Sequence, residues 1–108
     1  MVAESLESRL LRVQEDFVRG LPARIAEFLQ VWDCDLPVPE RLRRAHHHAH
    51  RLSGGAGTLG QPGLSAASKV LELEIQGLLD AGREPDGATL ARFRQRTEAL
   101  LTTLQAPA

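Results

Sequence analysis

Apolar residues recur along the chain at steps of three and four, and no segment shows the strict alternation of a half-buried strand. The pattern predicts an all-α protein. Leu6, Leu10, Val13 and Phe17 form a first stripe that ends near Gly20, and Pro22 suits the first turn of a following helix. Ile25, Phe28, Leu29 and Trp32 give that second helix its buried face. The run DCDLPVPE then interrupts the pattern, because Pro37 and Pro39 disfavour helix until Pro39 opens the next one. A third helix running to about Leu59 carries Leu42, Ala45, Ala49, Leu52, Ala56 and Leu59 on one side. Gly60 is placed to end it, and Pro62 to begin a fourth helix faced by Leu64, Ala67, Leu71, Ile75 and Leu78. The turn between these two is short, so they should pack antiparallel. The run DAGREPDG precedes a last helix striped by Leu90, Phe93, Thr97, Leu100 and Leu104, with Asp86 as its candidate cap. Residues 105–108, QAPA, read as a frayed tail or the start of a linker. Short connections between amphipathic helices predict an up-and-down antiparallel four-helix bundle with an additional N-terminal helix.

Composition fits that picture and removes several functions. With 108 residues, 43% hydrophobic and 25% charged, the chain suits one domain over residues 1–108 with a single modest core. A formal net charge of −1 offers no basic excess for a phosphate backbone, which argues against nucleic acid as a partner. Cys34 is the only cysteine, so an intramolecular disulfide and a paired-cysteine zinc site are both excluded. That usage fits a reducing cytoplasm. No signal-peptide pattern opens the chain, and no apolar run approaches the roughly 18 residues of a membrane span. A soluble, cytoplasmic protein without a membrane partner is expected.

The stretch AHHHAHRLSGGAGTLG, residues 45–60, departs from the rest: four histidines fall within five positions and four glycines follow. Taking the Leu42 to Leu59 stripe as inward and about 100 degrees per residue, His50 lies roughly 130 degrees from the core direction. His47 points still more directly to solvent, while His46 and His48 sit on the two shoulders of the buried stripe. Gly54 and Gly57 share the face of His50; Gly55 lies on the opposite flank, where close helix packing explains it equally well. Three interior glycines cost about 2 to 3 kcal/mol relative to alanine, at roughly 1 kcal/mol each. Against a typical domain stability of about 5 to 15 kcal/mol that is a large concession. At outward-facing Gly54 and Gly57 it reads as clearing room beside an exposed imidazole for the backbone of another protein. A neutral histidine so placed holds a lone pair on one ring nitrogen and a proton on the other, and can attack phosphorus. The resulting phosphoramidate is reactive enough to pass its phosphoryl group on.

The string AHRLSGGAGTLGQPGL resembles the signature of histidine-containing phosphotransfer (HPt) domains, most of all the phosphoacceptor domain of chemotaxis histidine kinases. The family pattern is a histidine, then a lysine three residues on, glycines four and ten on, and a leucine four beyond the second glycine. Here these positions hold His50, Ser53, Gly54, Gly60 and Leu64, so four of the five match. The helix order, and the segment FVRGLPARIAEFLQVW, extend the resemblance over nearly the whole chain. It implies that His50 is the phosphoacceptor, attacking through its outer ring nitrogen, and that Glu72 on the next helix orients the imidazole through the inner one. Projection places Glu72 on one polar face with Ser65, Lys69 and Gln76.

The resemblance further implies a carrier in a two-component phosphorelay rather than an enzyme. It would exchange a phosphoryl group between His50 and the aspartate of a response-regulator receiver domain, or accept it from the catalytic domain of a histidine kinase. No cofactor of its own is expected, since the partner would supply magnesium. The partner-facing residues would be Gly54, Gly57, Ser53, His46, His47, Arg51 and Lys69. Ser53 departs from the family lysine, so a positive charge beside the phosphoryl group has to come from elsewhere; Lys69, Arg51, His46 and His47 are the candidates.

Three other readings compete. His46 and His50 have metal-ligand spacing, yet bundle metal sites converge inward and use a Glu-x-x-His motif that is absent here, so no metal is expected. A hydrolase using Ser53 and His50 would lack a pocket and an oxyanion hole on an open helix face. A docking bundle without transfer activity is kept open by Ser53. Arg41, Arg43 and Arg44 read as solvated surface, with the steering of an acidic partner as the alternative.

Overall fold

The computed structural model describes residues 5–105. They form α1 (Leu6–Asp33), α2 (Val38–Thr58), α3 (Pro62–Ala81) and α4 (Gly87–Ala99), with no strand among the described residues. A 3-10 turn over Leu100–Thr103 continues α4. Local chemistry sets the boundaries. The Ser5 hydroxyl accepts the Ser8 N–H at the start of α1, and Asp86 accepts the Thr89 N–H at the start of α4. Pro39 sits in the first turn of α2 and Pro62 at the first residue of α3. Gly60, at φ 82, and Gly82, at φ 62, turn the chain after α2 and α3 in the left-handed conformation that glycine adopts without strain.

Side-chain contacts give the topology. α2 runs back along α1, so that His48 meets Phe28 and Gly55 meets Phe17. α3 returns along α2, with Ser65 beside Ser53 and Glu72 beside His50. α4 closes the bundle against α1 and α3: the Trp32 indole N–H donates to Thr97 Oγ1, and Arg96 pairs with Glu74. This is the up-and-down antiparallel bundle. Leu21, Ile25, Phe28, Leu42, Leu64, Leu71, Ile75 and Leu100 fill its centre and are almost fully buried. Each such burial contributes about 1.5 to 3 kcal/mol.

The expected break at Gly20 and Pro22 is absent, and the additional N-terminal helix is the front half of α1. Leu21, counted in neither expected stripe, is buried and links Phe17 to Ile25 at steps of four, which makes the apolar face continuous. A proline inside a helix costs about 3 kcal/mol. Burying Leu21 and Ile25 offsets that cost, and Pro22 itself faces outward.

The front of α1 also corrects the sequence reading. Leu6, Leu10 and Val13 are 67%, 52% and 50% exposed, and only Phe17 of that stripe joins the core. The α2–α3 turn reaches α1 at Gln14, whose side chain lies 3.7 Å from the position of a Cβ on Gly60. The helix therefore runs on past the end of the bundle, giving a long axis of 58 Å against 22 and 21 Å. Gln105 is no frayed residue: its backbone N–H and C=O both bond the side chain of buried Gln61. Residues 106–108 of the expected tail lie outside the described residues.

Candidate functional site

The α2 stripe Leu42, Ala45, Ala49, Leu52 and Ala56 is buried, and this fixes where the histidines between those residues point. Leu71 and Ile75 do the same for α3 and turn Glu72 toward α2. The two helices thereby bring His50 and Glu72 together. His50 Nδ1 lies 3.2 Å from Glu72 Oε1; the imidazole side chain is 66% exposed and the carboxylate 9%. An ionised carboxylate only accepts, so Nδ1 carries the proton and donates it. In the neutral ring this tautomer puts the Nε2 lone pair on the side away from Glu72.

Burial raises the pKa of Glu72, but hydrogen bonds from Lys69 and His50 outweigh it and hold the carboxyl below its ordinary value. Lys69 Nζ lies 3.2 Å from Glu72 Oε2, so one carboxylate serves both groups. The sequence placed Glu72 and Lys69 on one face; their i, i+3 spacing was the available signal for the pair itself.

The other histidines occupy different surroundings. His46 stacks on His50 with ring centroids 6.3 Å apart and planes 7° apart. His47 is exposed. His48 lies against Phe28, 5.6 Å between centroids, and burial lowers its pKa although Glu27 pulls the other way. Arg51 turns toward α1 and, with Arg24, Glu27, His48 and Leu52, lines a cavity of about 180 Å³. It is thus apart from the His50, Glu72 and Lys69 group.

The glycines divide. A Cβ on Gly54 would meet nothing within 4 Å, as an open flank beside His50 requires. Gly57 differs from the expectation: although exposed, its Cβ would stand 3.1 Å from Ser65 Oγ, so glycine here admits α3. The Ser65 hydroxyl is held in that place by donating to the Ser53 carbonyl at 2.9 Å. Ser65 was named in the sequence only as a member of the polar face. Gly55 packs, with Phe17 ring carbons 3.0 and 3.2 Å from its Cβ position. Among the described residues no group of three or more His, Cys, Asp or Glu is placed to hold a metal ion. No helix among them is long and apolar enough to cross a membrane.

The described residues thus form an antiparallel helical bundle that presents an exposed imidazole, backed by a carboxylate and flanked by open backbone at Gly54. The Hpt domain family matches residues 12–106, and the chain belongs to that family. Hpt domains act in histidine phosphotransfer relays as phosphocarrier modules rather than catalysts, interacting with receiver and kinase components. No curated protein and no solved structure matches the chain.

Proposed function

We propose that His50 is the phosphoacceptor of this Hpt domain. It exchanges a phosphoryl group through Nε2 with the aspartate of a response-regulator receiver domain, or takes it from a histidine kinase catalytic domain, in the cytoplasm. The observation that carries this reading is the His50 to Glu72 hydrogen bond, on an imidazole left 66% exposed. A proton fixed on Nδ1 makes Nε2 the nucleophile, and the carboxylate balances positive charge that develops on the ring during attack. The partner supplies magnesium and the groups that stabilise the transferring phosphoryl, while this domain supplies position. Gly54 and Ser53 lie one turn beyond His50 and His46 one turn before it; these, with His47, Gly57 and Lys69, form the surface that a partner would cover, while Arg51 faces the α1 side.

The experiment is intact mass after incubation with a phosphorylated receiver domain and magnesium. The parent and a variant with His46, His47 and His48 replaced by Gln should each gain a single acid-labile phosphate. His50→Gln should gain none. Phosphate retained by His50→Gln would overturn the assignment. A parent that stays unmodified with both receiver and kinase donors would make the protein a docking bundle.

A further inference from the structure

His48 borders three cavities at once, of about 180, 230 and 450 Å³, which join into one groove along the α1 side of α2. Arg24, Arg43, Arg44 and Arg51 line it against Glu27 and Glu40, an excess of two positive charges on a chain whose formal net charge is −1. We propose that this groove docks an extended acidic segment of a partner protein, with one carboxylate held between Arg24 and Arg51 and a second, about three residues away, at Arg44. The inference does not depend on His50 as phosphoacceptor.

The cations of the groove are left open to an outside anion. Arg24 and Arg51 are exposed and make no ion pair among the described residues. Elsewhere on the surface Arg19 pairs with Asp16, Arg94 with Asp33 and Arg96 with Glu74. Arg24 is steadied from below by the Phe17 ring, 5.3 Å from its guanidinium carbon, so docking has less side-chain freedom to remove. Arg43 and Arg44 share the single carboxylate of Glu40, at 2.9 and 3.5 Å, which leaves one positive charge unbalanced. Guanidinium groups take carboxylates through charge-assisted and often paired hydrogen bonds, so acidic side chains are the matching chemistry.

Length and spacing define the segment. From Glu40 to Arg51 the helix rises about 16 Å, the span of about five residues of extended chain and more than one small carboxylate covers. Arg44 and Arg51 stand about 10 Å apart along the axis, or about three extended residues. Between them the groove is lined by His48 and Glu27, and Glu27 repels an acid placed there. The fitting pattern is therefore an acid, two uncharged residues and an acid. Nucleic acid fits poorly, because Phe17, Phe28, Trp32 and Phe93 are buried and the chain has no tyrosine, so no ring is offered for a base to stack on.

The test titrates the folded protein with the end-capped peptide Glu-Ala-Ala-Glu at low ionic strength and follows backbone amide shifts by NMR. Shifts should gather on the residues that line the groove, and Gln-Ala-Ala-Gln should cause none. Glu-Glu-Ala-Ala, of equal charge, should bind more weakly. Arg24→Gln and Arg51→Gln should each weaken binding about fivefold to tenfold, as for a charge-assisted pair partly open to solvent. Arg92→Gln, on α4 and outside the groove, should leave it within about twofold. Equal binding of the two glutamate peptides, or an equal loss in Arg92→Gln, would reduce the effect to general attraction and overturn the proposal. Equally tight binding of glutarate would overturn it in favour of a site for free small carboxylates. Equally tight binding of an oligothymidylate of the same charge would overturn it in favour of a nucleic-acid surface.

Discussion

His48 and His50 stand two residues apart on α2 and meet opposite surroundings. His48 turns toward α1, lies flat on Phe28 and has its pKa lowered by burial. His50 turns toward α3 and solvent, with one nitrogen tied to Glu72 and the other free. The same side chain is thus packed against a ring on one flank of a helix and exposed with a carboxylate partner on the other. What separates them is the register of α2 against its two neighbours: the α1 side offers aromatic surface and the α3 side a carboxylate.

Removing what makes the α3 side special should have the largest effect. Glu72→Ala should slow phosphorylation of His50 by about 100-fold, the low end of what a positioned proton acceptor contributes. Its thermal unfolding should stay close to that of the parent. Transfer rates from one receiver domain, measured on parent and variant, check this; an equal rate would erase the distinction between the flanks.

The glycines sharpen the same comparison through stability. Gly54 faces open space, so Gly54→Ala should stabilise the domain by about 0.5 to 1 kcal/mol, the usual gain of alanine inside a helix. Gly55→Ala should instead destabilise it by about 1 kcal/mol, because the new methyl must displace the Phe17 ring from 3.0 Å. Denaturant unfolding of both variants gives the two signs directly.

The smallest effect belongs to His48. Its pKa is lower in the folded protein than in the unfolded chain, so below about pH 6.5 the unfolded chain binds more protons. The stability tied to His48 is full above that value and is lost as pH falls through it. Because the side chain stays partly solvated, the loss should be a few tenths of a kcal/mol. The free energy of unfolding should decline more steeply between pH 7.5 and 5.5 in the parent than in His48→Gln.

Much of this was legible in the sequence because it depends on residues within one or two turns of each other. The buried faces of α2 and α3, the Asp86 cap, and Pro62 at the start of α3 all follow from short-range spacing. The placement of Glu72 on the polar face of α3 follows from the same projection. What escaped depends on how far one helix slides along another. Pro22 signalled a new helix, and only the burial of Leu21 beneath the rest of the bundle overrides that signal. Leu6, Leu10 and Val13 show helical periodicity, but the pattern along one helix does not tell where its neighbours end. Gly57 points outward from α2 by projection, yet the close approach of Ser65 is a property of the α2–α3 pair. The site itself was legible as a face, whereas the sharing of Glu72 between His50 and Lys69 required the register of both helices.

The most direct measurement is a long-range proton–nitrogen NMR spectrum of the phosphorylated protein, with phosphorus coupling identifying the modified ring nitrogen. The expected result is phosphorus on Nε2 of His50, with Nδ1 still facing Glu72. Phosphorus on His46, His47 or His48, or on Nδ1 of His50, would contradict the assignment of nucleophile and supporting carboxylate.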